Sequence, residues 1–175
     1  MIEIIPNYHP MLVHFTIALI TTSLGTLVLG WIFTPWKKAQ AECFVVSRWC
    51  LWLGALASVL TVGAGFHAYY TVGHDAVSHV IMKIHRNWAL VTFVLIWLMT
   101  IWSSVLFIKH KTPRWFYTLG MIITFGFVMT TGWYGAELVY RYGIGVKSLP
   151  QVEDIGHTHI PSGKGVADHQ VQHEH

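Results

Sequence analysis

The sequence predicts an all-α fold, an integral membrane four-helix bundle whose helices run up and down. Three observations predict it. Four stretches, Met11 to Trp36, Trp49 to Gly73, Asn87 to Ile108 and Trp115 to Ala136, contain no Asp, Glu, Lys or Arg. Each reaches the roughly 20 apolar residues that cross a hydrocarbon layer. The composition agrees, with 54% hydrophobic residues and only 11% charged, where a soluble domain carries about 25%. The connections between the stretches are short, which makes sequential helices antiparallel neighbours.

Each element has its own reason. Backbone groups cannot go unpaired in lipid, so a span is a helix or a strand of a closed barrel. These runs are continuously apolar instead of alternating, which selects helix. The first connection, Thr34 to Arg48, holds Pro35, Lys37, Lys38 and Arg48; the second, Thr71 to Arg86, holds Lys83 and Arg86; the third, Lys109 to Arg114, holds Lys109, Lys111, Pro113 and Arg114. The spans and their connections make one transmembrane domain, residues 1–147. The polar remainder, 148–175, has no residues to build a core and reads as a flexible His-rich tail, with His157, His159, His169, His173 and His175.

The basic residues set the expected orientation. Six Lys or Arg fall in the first and third connections, against four in the second connection and just after the last span. That bias places the first and third connections in the cytoplasm of a bacterial cell and both termini outside. Met1 to Pro10 has Glu3 and no Lys or Arg, so a cleavable signal peptide is not expected. A net charge of +3 gives no nucleic-acid footprint. Cys43 and Cys50 would stand ~10 Å apart along one helix, too far for a disulfide. No Cys-x-x-Cys-His occurs, which excludes covalently attached haem, and no nucleophile–base pair or phosphate loop points to a hydrolytic enzyme.

The chemistry resides in histidine. Of 12 histidines, six fall at the outer end of the expected bundle: His9, His14, His67, His74, His79 and His85. Imidazole in lipid costs free energy unless it finds a partner, and it is the commonest metal ligand. In an up-down bundle the first and third helices are diagonal partners, so His14 and His85 are expected to face one another as axial ligands of a haem b iron. His67 and His9 stand as reserves, and a second haem would need a second pair. Gly63, Gly65, Gly126, Gly132 and Gly135 lie on the other diagonal, where a macrocycle needs room. Arg86 and Arg141, with Lys83, are the candidate partners of its propionates, and Trp88, Tyr134 and Tyr140 its edges. Small residues that merely let membrane helices approach account for the same glycines. A salt bridge from Glu137 to Arg141 is the ordinary expectation for that pair. Thr61-Val-Gly63-Ala-Gly65 and Thr131-Gly132-Trp-Tyr-Gly135 also echo one another, the pattern of a two-helix duplication.

Two segments resemble a known signature: His9-Pro10-Met-Leu-Val13-His14-Phe15, and Gly132-Trp-Tyr-Gly135-Ala-Glu137-Leu-Val139-Tyr140-Arg141-Tyr-Gly143-Ile-Gly145-Val146. Together they are similar to a bacterial family of four-span membrane proteins catalogued as a domain of unknown function. The resemblance covers roughly residues 8 to 147. In that family the His-Pro and His-Phe pairs and a His opening the third span recur, matching His9, His14 and His85. Pro usually follows His-Phe, where Thr16 stands here, and His67 has no counterpart. Fusions to Rieske or cytochrome c domains imply membrane electron transfer, and the resemblance carries no activity of its own.

Three readings follow. The first is a haem-b protein, with one or two haems, passing electrons at the outer face of the membrane, with a quinone or a periplasmic redox protein as partner. The second is a non-haem Zn or Cu site built from His9, His14, His67 and His85. The third is a cofactor-free scaffold subunit of a membrane complex, or a homo-oligomer.

Overall fold

A computed structural model describes residues 7–146. They form four helices: α1 (His9–Ile32), α2 (Lys37–Thr71), α3 (Ala76–Ile108) and α4 (Trp115–Tyr140). All four are long and apolar enough to cross a membrane. The tail, 148–175, and its five histidines lie outside the described residues.

Two helices outrun the apolar stretches that announce them. α2 starts in the segment expected to be a connection, and so does α3. At 1.5 Å per residue they are ~50 Å long, against a hydrocarbon core of about 30 Å. A charge-free run marks the part that meets lipid, whereas helix continues wherever good helix formers such as Lys37, Lys38, Ala39 and Gln40 allow. The connections are therefore tighter than the charge pattern predicts. The second shrinks to four residues, Val72 to Asp75. There Asp75 caps α3 by accepting from the Ser78 backbone N–H (2.8 Å) and the Ser78 hydroxyl, and the hydroxyl in turn accepts from the Asp75 N–H, a reciprocal cap of the kind that satisfies orphan helix N–H groups. α1 opens on His9-Pro10, where the missing proline N–H costs nothing.

The helices pair in sequence order. α1 packs on α2 and α3 on α4, with lighter contact between α2 and α3 and between α1 and α4. The chain is thus two hairpins laid side by side, with α1–α3 and α2–α4 as the diagonals. The core is a single column: Ile20, Leu27, Leu51, Ala55, Ile96, Met99, Tyr117, Met121 and Val128. Around it, large apolar side chains such as Leu56, Leu60, Ile101 and Ile108 face outward. In water that would be an aggregation hazard; in lipid it is the expected outer face.

The two hairpins repeat one another. The buried positions of α1 (Thr16, Ile20, Ser23, Leu27) recur at one constant offset in α3 (Thr92, Ile96, Met99, Ser103). Those of α2 (Ser47, Leu51, Gly54, Ser58) recur in α4 (Tyr117, Met121, Thr124, Val128). Successive hairpins have the same up-down sense, so the pseudo-twofold axis runs along the bundle, as in the parallel repeats of many transporters. The echo noticed between Thr61–Gly65 and Thr131–Gly135 belongs to this larger correspondence.

Close approach within a hairpin rests on small and hydroxylated residues, as lipid provides no hydrophobic drive. Ser23 donates to the Ser47 carbonyl (2.8 Å) in the α1–α2 interface. Gly30 lies under Phe44, where an added Cβ would come within 2.4 Å of the ring. Gly30→Val should destabilise the hairpin by about 1–3 kcal/mol, read as a lower thermal midpoint in detergent, whereas Gly25→Val, at a position with open space around it, should be nearly neutral. The hydrogen bonds from Ser78 hold the Asp75 carboxyl below the ordinary carboxylate range. A depressed folded pKa means that the cap is complete at neutral pH and is lost as pH falls through that lowered value. Amide exchange at Ser78, corrected for intrinsic rate, should therefore accelerate only below the ordinary Asp range, and Asp75→Ala should accelerate it at every pH.

Candidate functional site

The histidines gather where expected, at the end of the bundle that holds the start of α1 and the α2–α3 connection. Their faces, not their depth, decide which of them meet. Along α1, His9 precedes Thr16 by seven residues and Ile20 by eleven, which at 100° per residue puts all three on one stripe. That stripe faces the interior. His14 is five residues from His9, about 140° around the helix, and is exposed. Along α3, His85, Thr92 and Ile96 share the same spacing and the same inward face.

The ring that meets His85 is accordingly that of His9. Their centroids are 6.1 Å apart and their planes nearly perpendicular, at 78°. The two are repeat-equivalent, so they face each other across the pseudo-twofold axis. Each is tied to the other helix of its own hairpin. His9 Nδ1 lies 3.0 Å from the Thr61 carbonyl oxygen and His85 Nδ1 3.1 Å from the Thr131 carbonyl oxygen. A carbonyl only accepts, so both rings donate Nδ1–H. In the neutral imidazole this fixes the tautomer and leaves Nε2 with a free lone pair, the arrangement by which proteins orient metal-binding histidines.

Four threonines and two glycines complete the device, again in pairs. The Thr16 and Thr61 hydroxyls are 2.9 Å apart, and those of Thr92 and Thr131 are 2.8 Å apart. These bonds lock α1 to α2 and α3 to α4 about two helical turns below each imidazole. Gly65 lies against His9, where an added Cβ would stand 3.0 Å from the ring, and Gly135 lies against His85, where it would stand 3.2 Å away. Gly132 has only an ordinary contact with Ile17, and Gly63 and Gly126 have open space around them. Two of the five glycines singled out in the sequence therefore seat the imidazoles.

The rings border a cavity of about 460 Å³ lined from all four helices, within the range of cofactor pockets. Arg86 and Tyr140 also line it, the Arg86 guanidinium lying 5.1 Å from the Tyr69 ring centre. The other expected residues have other places. His14 stands at the cavity's edge and donates Nδ1–H to the Pro10 carbonyl (2.6 Å). His67 is exposed on α2. His74 and His79 stack on each other, with Nε2 of the first 2.9 Å from Nδ1 of the second. Arg141 is bound to Glu137 at 2.7 Å, the ordinary i,i+4 pair, and Trp88 stacks on Tyr134.

The sequence contained the signal for His9. His-x6-Thr appears on α1 and α3, and Thr-x3-Gly on α2 and α4. His9 lies at the very start of α1, two residues before the apolar stretch that begins at Met11, so depth alone does not single it out. Among the described residues no three His, Cys, Asp or Glu side chains converge. Among these residues the imidazoles that meet at the cavity are the pair His9 and His85.

No curated protein and no solved structure matches this chain. Its sequence does match a family profile over residues 6–148, which takes in the whole described bundle. The chain belongs to the family described as predicted membrane protein DUF2231.

Proposed function

We propose that this protein binds haem b between its hairpins, with His9 and His85 as axial ligands, and passes electrons at the outer face of a bacterial cell membrane. The observation that carries the reading is the facing pair of repeat-equivalent imidazoles with Nδ1 tied to carbonyls. A metal about 2 Å from each ring nitrogen holds two imidazole centroids roughly 6–6.5 Å apart, and here they are 6.1 Å apart. The macrocycle needs only two protein donors, which is what the site offers; a closed zinc centre needs three or four. The seam cavity gives the plate its place, and Gly65 and Gly135 keep α2 and α4 clear of the ligand rings. Arg86, which lines the cavity, would pair with a propionate, whereas Arg141 already has a carboxylate partner.

When bound, haem b supplies one-electron chemistry. The protein's own part is to hold the two rings neutral at Nε2, to exclude water with an apolar seam, and to set the ligand basicity through the Thr61 and Thr131 carbonyls. Facing the outer side, as the excess of Lys and Arg at the opposite connections favours, the site would exchange electrons with a periplasmic redox protein or a quinone from the lipid.

A dithionite-reduced minus oxidised spectrum of the purified protein should show a Soret band and the sharp α-band of six-coordinate haem b. His9→Ala and His85→Ala should each lose it, and His14→Ala should keep it. A colourless protein that takes up no added haemin would end the reading. Loss with His14→Ala but not with His9→Ala would end the ligand assignment alone. Gly65→Ala and Gly135→Ala, which push on the ligand rings without removing them, should lower haem affinity on the order of tenfold, the scale at which support of a ligand matters, measured by haemin titration.

A further inference from the structure

The opposite end of the bundle holds a second cavity, about 400 Å³, between α2, α3, the α3–α4 connection and the start of α4. That cavity carries two cationic side chains where the first carries one. Arg48, Lys111 and His110 line it, and no acidic side chain does. Arg48 is the key group. Its guanidinium lies 4.2 Å above the Phe107 ring centre and 5.6 Å from that of Trp52, which fixes it in place. Its Nε is buried and has no hydrogen-bond partner among the described residues. The one ion pair among those residues is at the far end of the molecule. An arginine carries five donors, and a buried N–H left unpaired costs free energy. One held guanidinium and a lysine lining the same cavity, with no acidic side chain beside them, make a site waiting for an anion.

We infer that this cavity binds the phosphate of an anionic headgroup, held by Arg48 from the α2 side and Lys111 from the connection. The planar guanidinium fork suits a phosphate's paired oxygens, and the flexible Lys111 supplies a point charge. The walls around it are apolar: Phe44 and Leu106 inside, and Val45 and Phe107 outward-facing. They continue from the charged floor to the lipid face of the bundle. That sequence of surfaces matches a phospholipid, headgroup in the basic pocket between helices and acyl chains along the outer wall. Free inorganic phosphate offers the same oxygens without the chains.

The full-length protein, released from detergent in native mass spectrometry after titration with phosphatidylglycerol or phosphatidylcholine, tests this. Wild type should retain phosphatidylglycerol over phosphatidylcholine. Arg48→Met and Lys111→Ala should each weaken that retention about fivefold, the scale of one basic residue near an anionic lipid. Lys111 is exposed, so its variant reports on the site even where Arg48→Met fails to fold. Lys38→Ala, exposed at the same end and outside the cavity, should change nothing. A thermal shift in zwitterionic nanodiscs with inorganic phosphate distinguishes the source. Arg48-dependent stabilisation there, with no lipid preference, assigns the site to free phosphate. Absence of both effects, or an equal loss in Lys38→Ala, overturns the proposal.

Discussion

A polar group inside a lipid-solvated bundle must find its partner within the bundle. The two histidine-to-carbonyl bonds are where this constraint shapes the molecule most. A helix carbonyl has a second lone pair after its own i+4 bond, so the Thr61 and Thr131 carbonyls can each accept an imidazole N–H without breaking their helices. For the ring to reach that carbonyl, the helices must approach closely, which calls for Gly65 and Gly135 beneath the rings and for paired threonine hydroxyls below them. Replacing either glycine would move an imidazole; moving an imidazole would strand an N–H in a nearly apolar cavity. Packing and the polar network thus fix one another, and together they fix which ring nitrogen is left free.

Repetition turns one such device into a site. A hairpin alone presents a single imidazole with a free Nε2. Two equivalent hairpins around an axis along the bundle present two, facing, at the same depth. Diagonal placement keeps the backbones of α1 and α3 apart, so the two helices meet there through their imidazole side chains. The seam between hairpins is the looser one, whereas the tight interfaces within hairpins keep the ring positions fixed.

The fold was largely legible in the sequence because its cause is solvent, and solvent preference is written residue by residue. Four charge-free runs marked four helices. Their ends were less legible: Lys37 to Arg48 and Ala76 to Arg86 carry charge and still continue α2 and α3, since the membrane limits the apolar stretch and not the helix. The site was legible in part. Histidines at one end followed from topology, and His85 lies at the cavity wall. The choice between His9 and His14 turns on angle around α1, a property of the i, i+7, i+11 stripe joining His9, Thr16 and Ile20. Which glycines touch a ring depends on helix rotation, which single-helix patterns in a uniformly apolar span do not set. The threonine pairs escaped for a related reason, since a lone Thr in a membrane helix usually bonds back to its own turn, as Thr21 and Thr26 do here.

The same repeat explains why the two ends of the bundle differ. At the histidine end the equivalence is kept at His9 and His85, Thr16 and Thr92, Thr61 and Thr131, and Gly65 and Gly135, so two matching imidazoles meet near the axis. At the other end it is broken. Trp31 of α1 and Phe107 of α3 are equivalent positions, and each meets a helix of the other hairpin. Trp31 donates Nε1–H to Thr118 at 2.9 Å, a neutral contact that satisfies both groups. Phe107 instead covers Arg48, the equivalent of Thr118, and a cation takes the place of a hydroxyl. An aromatic face stabilises a guanidinium but accepts none of its N–H bonds in the plane, so the charge is held without being neutralised. The broken symmetry therefore leaves a one-sided cationic pocket off the axis, against the lipid face, where the kept pairs leave two matching imidazoles at the centre.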